Sequence, residues 1–174
     1  MTATTLSPVD RSRPLMGLAV VGSTIVFLLA AAGLLNALVA HAALPGDLRS
    51  AAVMAHLASV MLALPLGISQ LVLPKGTLRH RTVGYIWIVL MVFTALVSFA
   101  VHVINPGGLS PIHLFSILTL VVAPLIVYRA RRGEVAKHQR AVLGLMIGGL
   151  VVAGVFTFLP GRALGQLVWG LFGR

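Results

Sequence analysis

Four histidines occupy matching positions in two similar segments of the sequence. The first segment opens with the letters HLASVM at His56, and the second opens with HLFSIL at His113. Each leads into a long apolar run that ends in a basic turn with a further histidine, His80 after the first run and His138 after the second. A neutral imidazole nitrogen is a common ligand for metals and for haem iron. The pattern predicts a tandem two-helix repeat with a potential ligand at each end of each copy.

The composition places these histidines in a membrane protein. Of the 174 residues, 59% are hydrophobic and only 9% are charged, which is too little polar surface for a soluble domain. The apolar runs are longer than the roughly 20 residues that cross a bilayer. The formal net charge of +10 is concentrated in the turns between these runs, where topology rules place it. We therefore expect the lipid bilayer as the surroundings and no nucleic-acid partner.

Missing residue types exclude several classes of site. The sequence has no cysteine, which excludes disulfides, thiolate metal sites and covalently attached c-type haem. Its three acidic residues, Asp10, Asp47 and Glu134, fall in tails or turns between apolar runs. An intramembrane proton relay, a paired-carboxylate hydrolase and a carboxylate-bridged di-metal site therefore have no candidate residues. We predict no catalytic residue and no metal site.

We predict an all-α, polytopic membrane protein with about five transmembrane helices and a four-helix core made by the tandem two-helix repeat. Residues 1–14 form a polar cytoplasmic tail, residues 15–162 a single transmembrane helical domain, and residues 163–174 an interfacial C-terminal segment. Helix-breaking and turn residues place the spans at about 15–42, 49–73, 81–104, 110–128 and 135–159. Four spans is the alternative if the first span is peripheral.

The distribution of lysine and arginine predicts the orientation of these spans. Ten of the 13 basic residues fall on the side of the N-terminus. The other side carries three: Arg49, Arg162 and Arg174. Short cytoplasmic loops are enriched in lysine and arginine, so the N-terminus is predicted to be cytoplasmic and the C-terminus to face outward.

This orientation sorts the repeated histidines into two pairs. If the two hairpins are related by an axis along the membrane normal, His56 lies opposite His113 near the outward face. The same axis sets His80 opposite His138 near the cytoplasmic face. Helical bundles build cofactor sites from facing side chains of this kind.

Each pair could supply both axial ligands of a b-type haem, which needs no cysteine. The histidines lie near the starts of their helices, where the helix dipole favours the neutral imidazole that a ligand requires. Ser59 and Ser116, three residues after the outward pair, are small enough to leave room for a flat macrocycle. Near the cytoplasmic pair, charge-assisted hydrogen bonds to haem propionates could come from three arginines: Arg79, Arg81 and Arg140. The outward pair is predicted to bind haem more securely, because its histidines lie inside their helices.

A structural role for the same histidines stays open. Histidine at a membrane edge can bond to headgroups or water, and arginines beside it are expected from topology alone. His41 and His102 have no partner in the repeat. A metal triad of His56, His102 and His113 is a further arrangement that their predicted location would permit.

The sequence resembles an uncharacterised family of bacterial predicted integral membrane proteins. The resemblance covers roughly residues 50–165 and is carried by four stretches. These are His80-Arg81 before the third span, the letters SPIHL from Ser110, the basic turn with His138, and FTFLPGR from Phe156 to Arg162. The resemblance implies a multi-pass protein of the bacterial inner membrane and brings no known activity.

The layout of histidines is also similar to that of di-haem cytochrome b561, in which four helices carry one histidine each on alternating sides. What this resemblance implies, two haems in a four-helix core, carries over only to His56, His80, His113 and His138. In that family the ligands lie within the membrane on both sides. Here His80 and His138 stand at the very start of their spans, so the cytoplasmic site would be shallow or absent.

Two function classes follow from these patterns. The first is a b-type haem-binding transmembrane electron-transfer protein, with a quinone, quinol or small reductant as its redox partner. The second is a non-catalytic membrane subunit or assembly factor whose histidines only satisfy helix interfaces. A small transporter is a third, since Pro65 and Pro124 could mark broken helices, although the spans carry no carboxylate.

The charge asymmetry leads to a topology prediction. A reporter that is active only in the cytoplasm should be inactive when fused at residue 174, because the C-terminus is predicted to face outward. The same reporter fused at Gly76, in a predicted cytoplasmic turn, should be active. Reporter activity in whole cells measures both, and an active fusion at residue 174 would contradict either the number of spans or their orientation.

Overall fold

The computed structural model describes residues 8–39, 44–101 and 108–173, and these ranges are helical apart from short turns. The elements are α1 (Pro8–Val39), a short 3₁₀ helix (Gly46–Arg49), α2 (Ala51–Val72), α3 (Leu78–Ser98), α4 (His113–Arg131), α5 (Val135–Leu145), a π-helical segment (Met146–Val152), α6 (Ala153–Phe156) and α7 (Ala163–Gly170). The elements α5, π-helical segment and α6 follow one another directly and are called the fifth helix below.

Five helices in this part of the chain are long and apolar enough to cross a membrane. They are Arg13–Val39, Ala51–Val72, Leu78–Ser98, His113–Arg131 and Val135–Phe156. The prediction of an all-α, polytopic protein with five spans is therefore confirmed. The first helix is not peripheral, because α1 packs against α2, the fifth helix and α7.

Individual boundaries differ from the predicted ones because local hydrogen bonds, rather than hydropathy, end helices. α3 begins at Leu78 because the side chain of Thr77 caps it, accepting the backbone N–H of His80 at 3.1 Å. It ends at Ser98, where the next three N–H groups bond three residues back instead of four. The predicted ends of the first and third spans, 42 and 104, lie outside the described residues. α1 begins at Pro8, so the described part of the predicted polar tail is helical.

The helices form a closed bundle. α2 packs against α1 and α3, α4 packs against α3 and α5, and the π-helical segment closes the ring by contacting α1, α2 and α4. The largest fully buried side chains, Trp87, Leu64, Leu145 and Met146, come from α2, α3 and the fifth helix. Large apolar side chains elsewhere on the same helices are exposed, as is expected where a helix faces lipid.

Two glycines allow α1 and the fifth helix to approach closely. A Cβ atom on Gly22 of α1 would lie 2.8 Å from a methyl carbon of Val151, and one on Gly154 would lie 2.7 Å from a methyl carbon of Val26. Each helix thus offers a glycine to a valine of the other. Close backbone approach at small residues is a main source of helix association in membranes. The predicted tight packing of the glycine-rich fifth span is confirmed at Gly154, whereas Gly144 faces open space.

The π-helical segment brings a further glycine inward. Gly149 lies where a Cβ atom would meet Met91 of α3 and the hydroxyl of Thr119 of α4, both at 3.4 Å. A π-helical turn inserts an extra residue into an α-helix and so changes which side chains face the neighbours. Here it places a residue without a side chain beside α3 and α4.

The reciprocal glycine contacts lead to a stability prediction. Gly154→Leu should lower the free energy of unfolding by about 1–3 kcal/mol, because the new side chain overlaps Val26 and must push α1 away. Gly144→Leu is the matched control on the same helix, since no atom of a packing neighbour lies within 4 Å of its Cβ position. Thermal unfolding in mild detergent measures both variants. Equal melting temperatures for the two would contradict the close approach.

Candidate functional site

His56 and His113, the first histidine of each copy of the repeat, both hydrogen-bond to α3. His56 on α2 places its Nδ1 3.2 Å from the backbone carbonyl oxygen of Thr94, and His113 on α4 places its Nε2 3.0 Å from that of Ser98. Thr94 and Ser98 are four residues apart on α3, so their side chains share one face, about one turn from each other. α3 is therefore the common partner of α2 and α4.

The serines three residues after these histidines bond the same α3 residues. Thr94 Oγ1 donates to Ser59 Oγ at 2.8 Å, and the hydroxyls of Ser98 and Ser116 form a second hydrogen bond. All four hydroxyl residues are buried. In each copy of the repeat, the histidine hydrogen-bonds to the backbone carbonyl of an α3 residue, and the serine hydrogen-bonds to the side-chain hydroxyl of that same residue. Ser59 and Ser116 were predicted to act as small residues beside a macrocycle; here their hydroxyls join helices.

His113 has no free ring nitrogen. The backbone N–H of Ser110 donates to its Nδ1 at 2.9 Å, so Nδ1 carries a lone pair and the hydrogen is on Nε2. That Nε2–H donates to the carbonyl oxygen of Ser98. The side chain is only 3% exposed, and its ring stacks on Phe99 with 5.7 Å between centroids. His113 is thus a fully bonded residue of the helix interface.

His56 has the opposite tautomer. Its Nδ1 faces a carbonyl oxygen, which can only accept, so the hydrogen is on Nδ1 and Nε2 carries the lone pair. In the described ranges, no hydrogen bond engages that Nε2. The side chain is half-buried. His56 therefore keeps one acceptor atom that the protein does not use.

The two histidines line one cavity of about 230 Å³. It lies between all five long helices and is called the central cavity below. Most of its lining is apolar, including Leu64, Met91 and Leu150. The polar residues of the lining are the two histidines, several serines and threonines, and Arg162, which is the one charged residue among the lining residues that the structure describes.

The other two repeated histidines, His80 near the start of α3 and His138 near the start of α5, lie at the opposite end of the bundle. His138 donates its Nδ1–H to the carbonyl oxygen of Ile126 at 3.0 Å. With the Gln70 amide oriented so that its polar atoms are paired, its NH₂ group donates to His80 Nδ1 and to the His80 carbonyl oxygen, each at 3.1 Å. The amide oxygen then accepts the N–H of Gly84 at 3.2 Å. His80 therefore carries its ring hydrogen on Nε2.

The cations near this end face outward from the bundle. Arg79, Arg81 and Arg140 are exposed, and the described residues include no hydrogen bond from these side chains to either histidine. Lys75 donates to the carbonyl oxygens of Gln70 and Leu71 at 2.7 and 2.6 Å, and so provides a hydrogen-bond donor for two carbonyl groups at the end of α2. Partial burial lowers the pKa of Lys75 from its ordinary value. The predicted role of the three arginines in binding propionates stays a prediction.

One other predicted arrangement falls partly outside the described residues. His102, like His41, is not among them, so the structure does not bear on a triad of His56, His102 and His113. Among the residues that are described, no group of three or more histidine, aspartate or glutamate side chains could hold a metal ion.

Sequence reasoning missed the partners of the histidines. Thr94, Ser98 and Gln70 are each buried and each contacts a repeated histidine or its serine. The available signal was that they are polar residues inside apolar spans, where a hydrogen-bond partner on another helix is expected.

No protein-family model, curated protein or solved structure matches this chain. The resemblances to an uncharacterised bacterial membrane family and to cytochrome b561 therefore stay predictions.

The bonding of His113 leads to a second stability prediction. His113→Phe should lower the free energy of unfolding by about 1–3 kcal/mol, because it leaves the buried N–H of Ser110 without its acceptor and removes a donor from Ser98. His56→Phe removes one such bond and should cost less. Leu114→Phe is the control, since Leu114 is 68% exposed on the next position of α4. Unfolding in mild detergent measures all three; equal losses for His113→Phe and Leu114→Phe would contradict the structural role.

Proposed function

We propose that this integral membrane protein binds an amphiphilic small molecule from the bilayer in its central cavity. The observation that carries the proposal is the make-up of the cavity: apolar walls with a few convergent polar groups, one of which, His56, has an unused acceptor nitrogen. Small-molecule sites in proteins commonly combine a mostly apolar lining with a few placed polar groups, and in bundles they lie between helices. The ligand would enter from lipid and place its polar group against the polar part of this lining.

A second candidate function is the haem-based electron transfer predicted from the sequence. One observation favours it: ligating histidines usually donate their other ring N–H to a carbonyl or carboxylate, and His56 and His138 each donate Nδ1–H to a backbone carbonyl. Their partners differ. His113 has both nitrogens bonded, and His80 accepts Gln70 at Nδ1, which leaves its Nε2 protonated.

The observed hydrogen bonds therefore do not fit bis-histidine ligation at either end of the bundle. His113 could bind iron only after one of its ring nitrogens loses its hydrogen bond, either Nε2 to the carbonyl of Ser98 or Nδ1 to the N–H of Ser110. A quinol as redox partner fits the first proposal, because it has an apolar body and its hydroxyl group can donate to His56 Nε2. A quinone carbonyl only accepts and cannot make this bond. The transporter alternative lacks support at its two prolines, since Pro65 and Pro124 lie inside helices that continue past them.

Filling the central cavity tests the proposal. Protein purified in mild detergent should retain a bound amphiphile that native mass spectrometry detects as a mass adduct. Ala153→Phe should remove most of this adduct, because Ala153 lines the cavity. Val155→Phe is the matched control on the same helix, since Val155 is 54% exposed to the surroundings. Loss of the adduct in both variants, or in neither, would contradict binding in the cavity.

The same samples distinguish the haem function. After expression with ample haem, we expect the reduced-minus-oxidised visible spectrum to lack the α-band of a bis-histidine haem. A band that disappears in His113→Ala and partly persists in His138→Ala would instead support the electron-transfer candidate. A protein with neither adduct nor band would leave the non-catalytic subunit as the better account.

A further inference from the structure

The charged group of the central cavity narrows the class of ligand. Arg162 is the one charged residue among those that line the cavity in the described part of the chain, and no carboxylate lines it. The residue is half-buried. Within the described ranges no ion pair or hydrogen bond engages its guanidinium. An apolar cavity with one unpaired cation is complementary to a molecule that has an apolar body and an anionic head.

The position of Arg162 fits a head group at the membrane boundary. It follows the last residue of the fifth span, Phe156, after a short turn, and it directly precedes α7. The cavity lining includes Arg162 and His56 together with Leu64 and Met91, which lie within their spans. An ionised head bound at Arg162 would keep its interfacial depth and avoid the penalty of a charge in the bilayer centre. Its chain would exchange contact with lipid tails for contact with the apolar walls.

We propose that the central cavity binds a long-chain fatty-acid-type carboxylate, with the carboxylate paired to Arg162 and the acyl chain between the helices. This inference rests on the proposed function and names its ligand class. Arginine suits the role because its planar guanidinium can donate two parallel hydrogen bonds to one carboxylate.

The test uses the full chain in phosphatidylcholine nanodiscs with an intrinsically fluorescent polyene fatty acid as the probe. Palmitate, hexadecanol and phosphatidylglycerol compete for the probe. Palmitate should displace it at about tenfold lower concentration than hexadecanol, because the alcohol has a matched chain and no charge. Arg162→Gln should bring this ratio close to one, because it should weaken the binding of palmitate and leave that of hexadecanol unchanged. Arg162→Lys, which keeps the charge, should preserve part of the ratio.

Two variants serve as controls. Arg49→Gln removes a cation that precedes α2 at the same end of the bundle and does not line the cavity, so the ratio should be unchanged. Ala153→Phe should weaken palmitate and hexadecanol equally. Size-exclusion chromatography of each variant verifies that the fold is retained; if Arg162→Gln fails this check, the Arg162→Lys and hexadecanol comparisons still decide.

Different failures have different meanings. If palmitate and hexadecanol compete equally and Ala153→Phe blocks both, the cavity binds amphiphiles but the carboxylate inference is wrong. Strongest competition by phosphatidylglycerol would also overturn the inference, in favour of a two-chain lipid. If no competitor displaces the probe and Ala153→Phe has no effect, the proposed function fails as well.

Discussion

The bundle depends on the hydrogen bonds that α3 receives from both neighbouring helices. Inside a bilayer, apolar side chains gain little by leaving lipid for a helix interface, so packing at small residues and interhelical hydrogen bonds determine the arrangement. The carbonyl oxygens of Thr94 and Ser98 on α3 accept hydrogen bonds from His56 and His113. The hydroxyls of the same two residues hydrogen-bond to those of Ser59 and Ser116. Because Thr94 and Ser98 are one turn apart, these bonds hold α2 and α4 at fixed heights on one helix. The residues that make these hydrogen bonds also line the central cavity, among them His56, Thr94 and His113.

The two copies of the motif share their residue spacing and their partner helix, α3, but differ in their hydrogen bonds. His113 begins α4 directly after a turn, so the N–H of Ser110 reaches its Nδ1 and forces the hydrogen onto Nε2. His56 lies well inside α2, which begins at Ala51, and there no preceding turn offers an N–H to its ring. The Nε2 acceptor of His56 is free because the ring hydrogen is on Nδ1, which donates to the carbonyl oxygen of Thr94. One histidine stabilises the interface, while the other can also meet a ligand.

Small residues determine where the bundle is tight and where it is open. Gly22 and Gly154 bring α1 against the fifth helix, whereas Gly149, placed inward by the π-helical segment, lines the cavity beside Thr119. The same residue type thus closes one interface and leaves room at another. The difference comes from the distance of the partner. A Cβ atom on Gly22 or Gly154 would lie within 3 Å of a valine methyl carbon, whereas one on Gly149 would meet its nearest side-chain atoms at 3.3 to 3.4 Å.

The sequence by itself determined the number and approximate extent of the spans, because a bilayer-crossing helix requires a long apolar run whatever its neighbours are. It also identified the repeated motif, since His56 and Ser59 match His113 and Ser116 in spacing. Only the tertiary structure decided what these residues do. Their partners include backbone carbonyls of Thr94, Ser98 and Ile126, and every residue has a carbonyl, so no sequence pattern marks the ones that are used. The tautomer of each imidazole, and with it the atom left for a ligand, depends on those partners and is fixed only when the helices are packed.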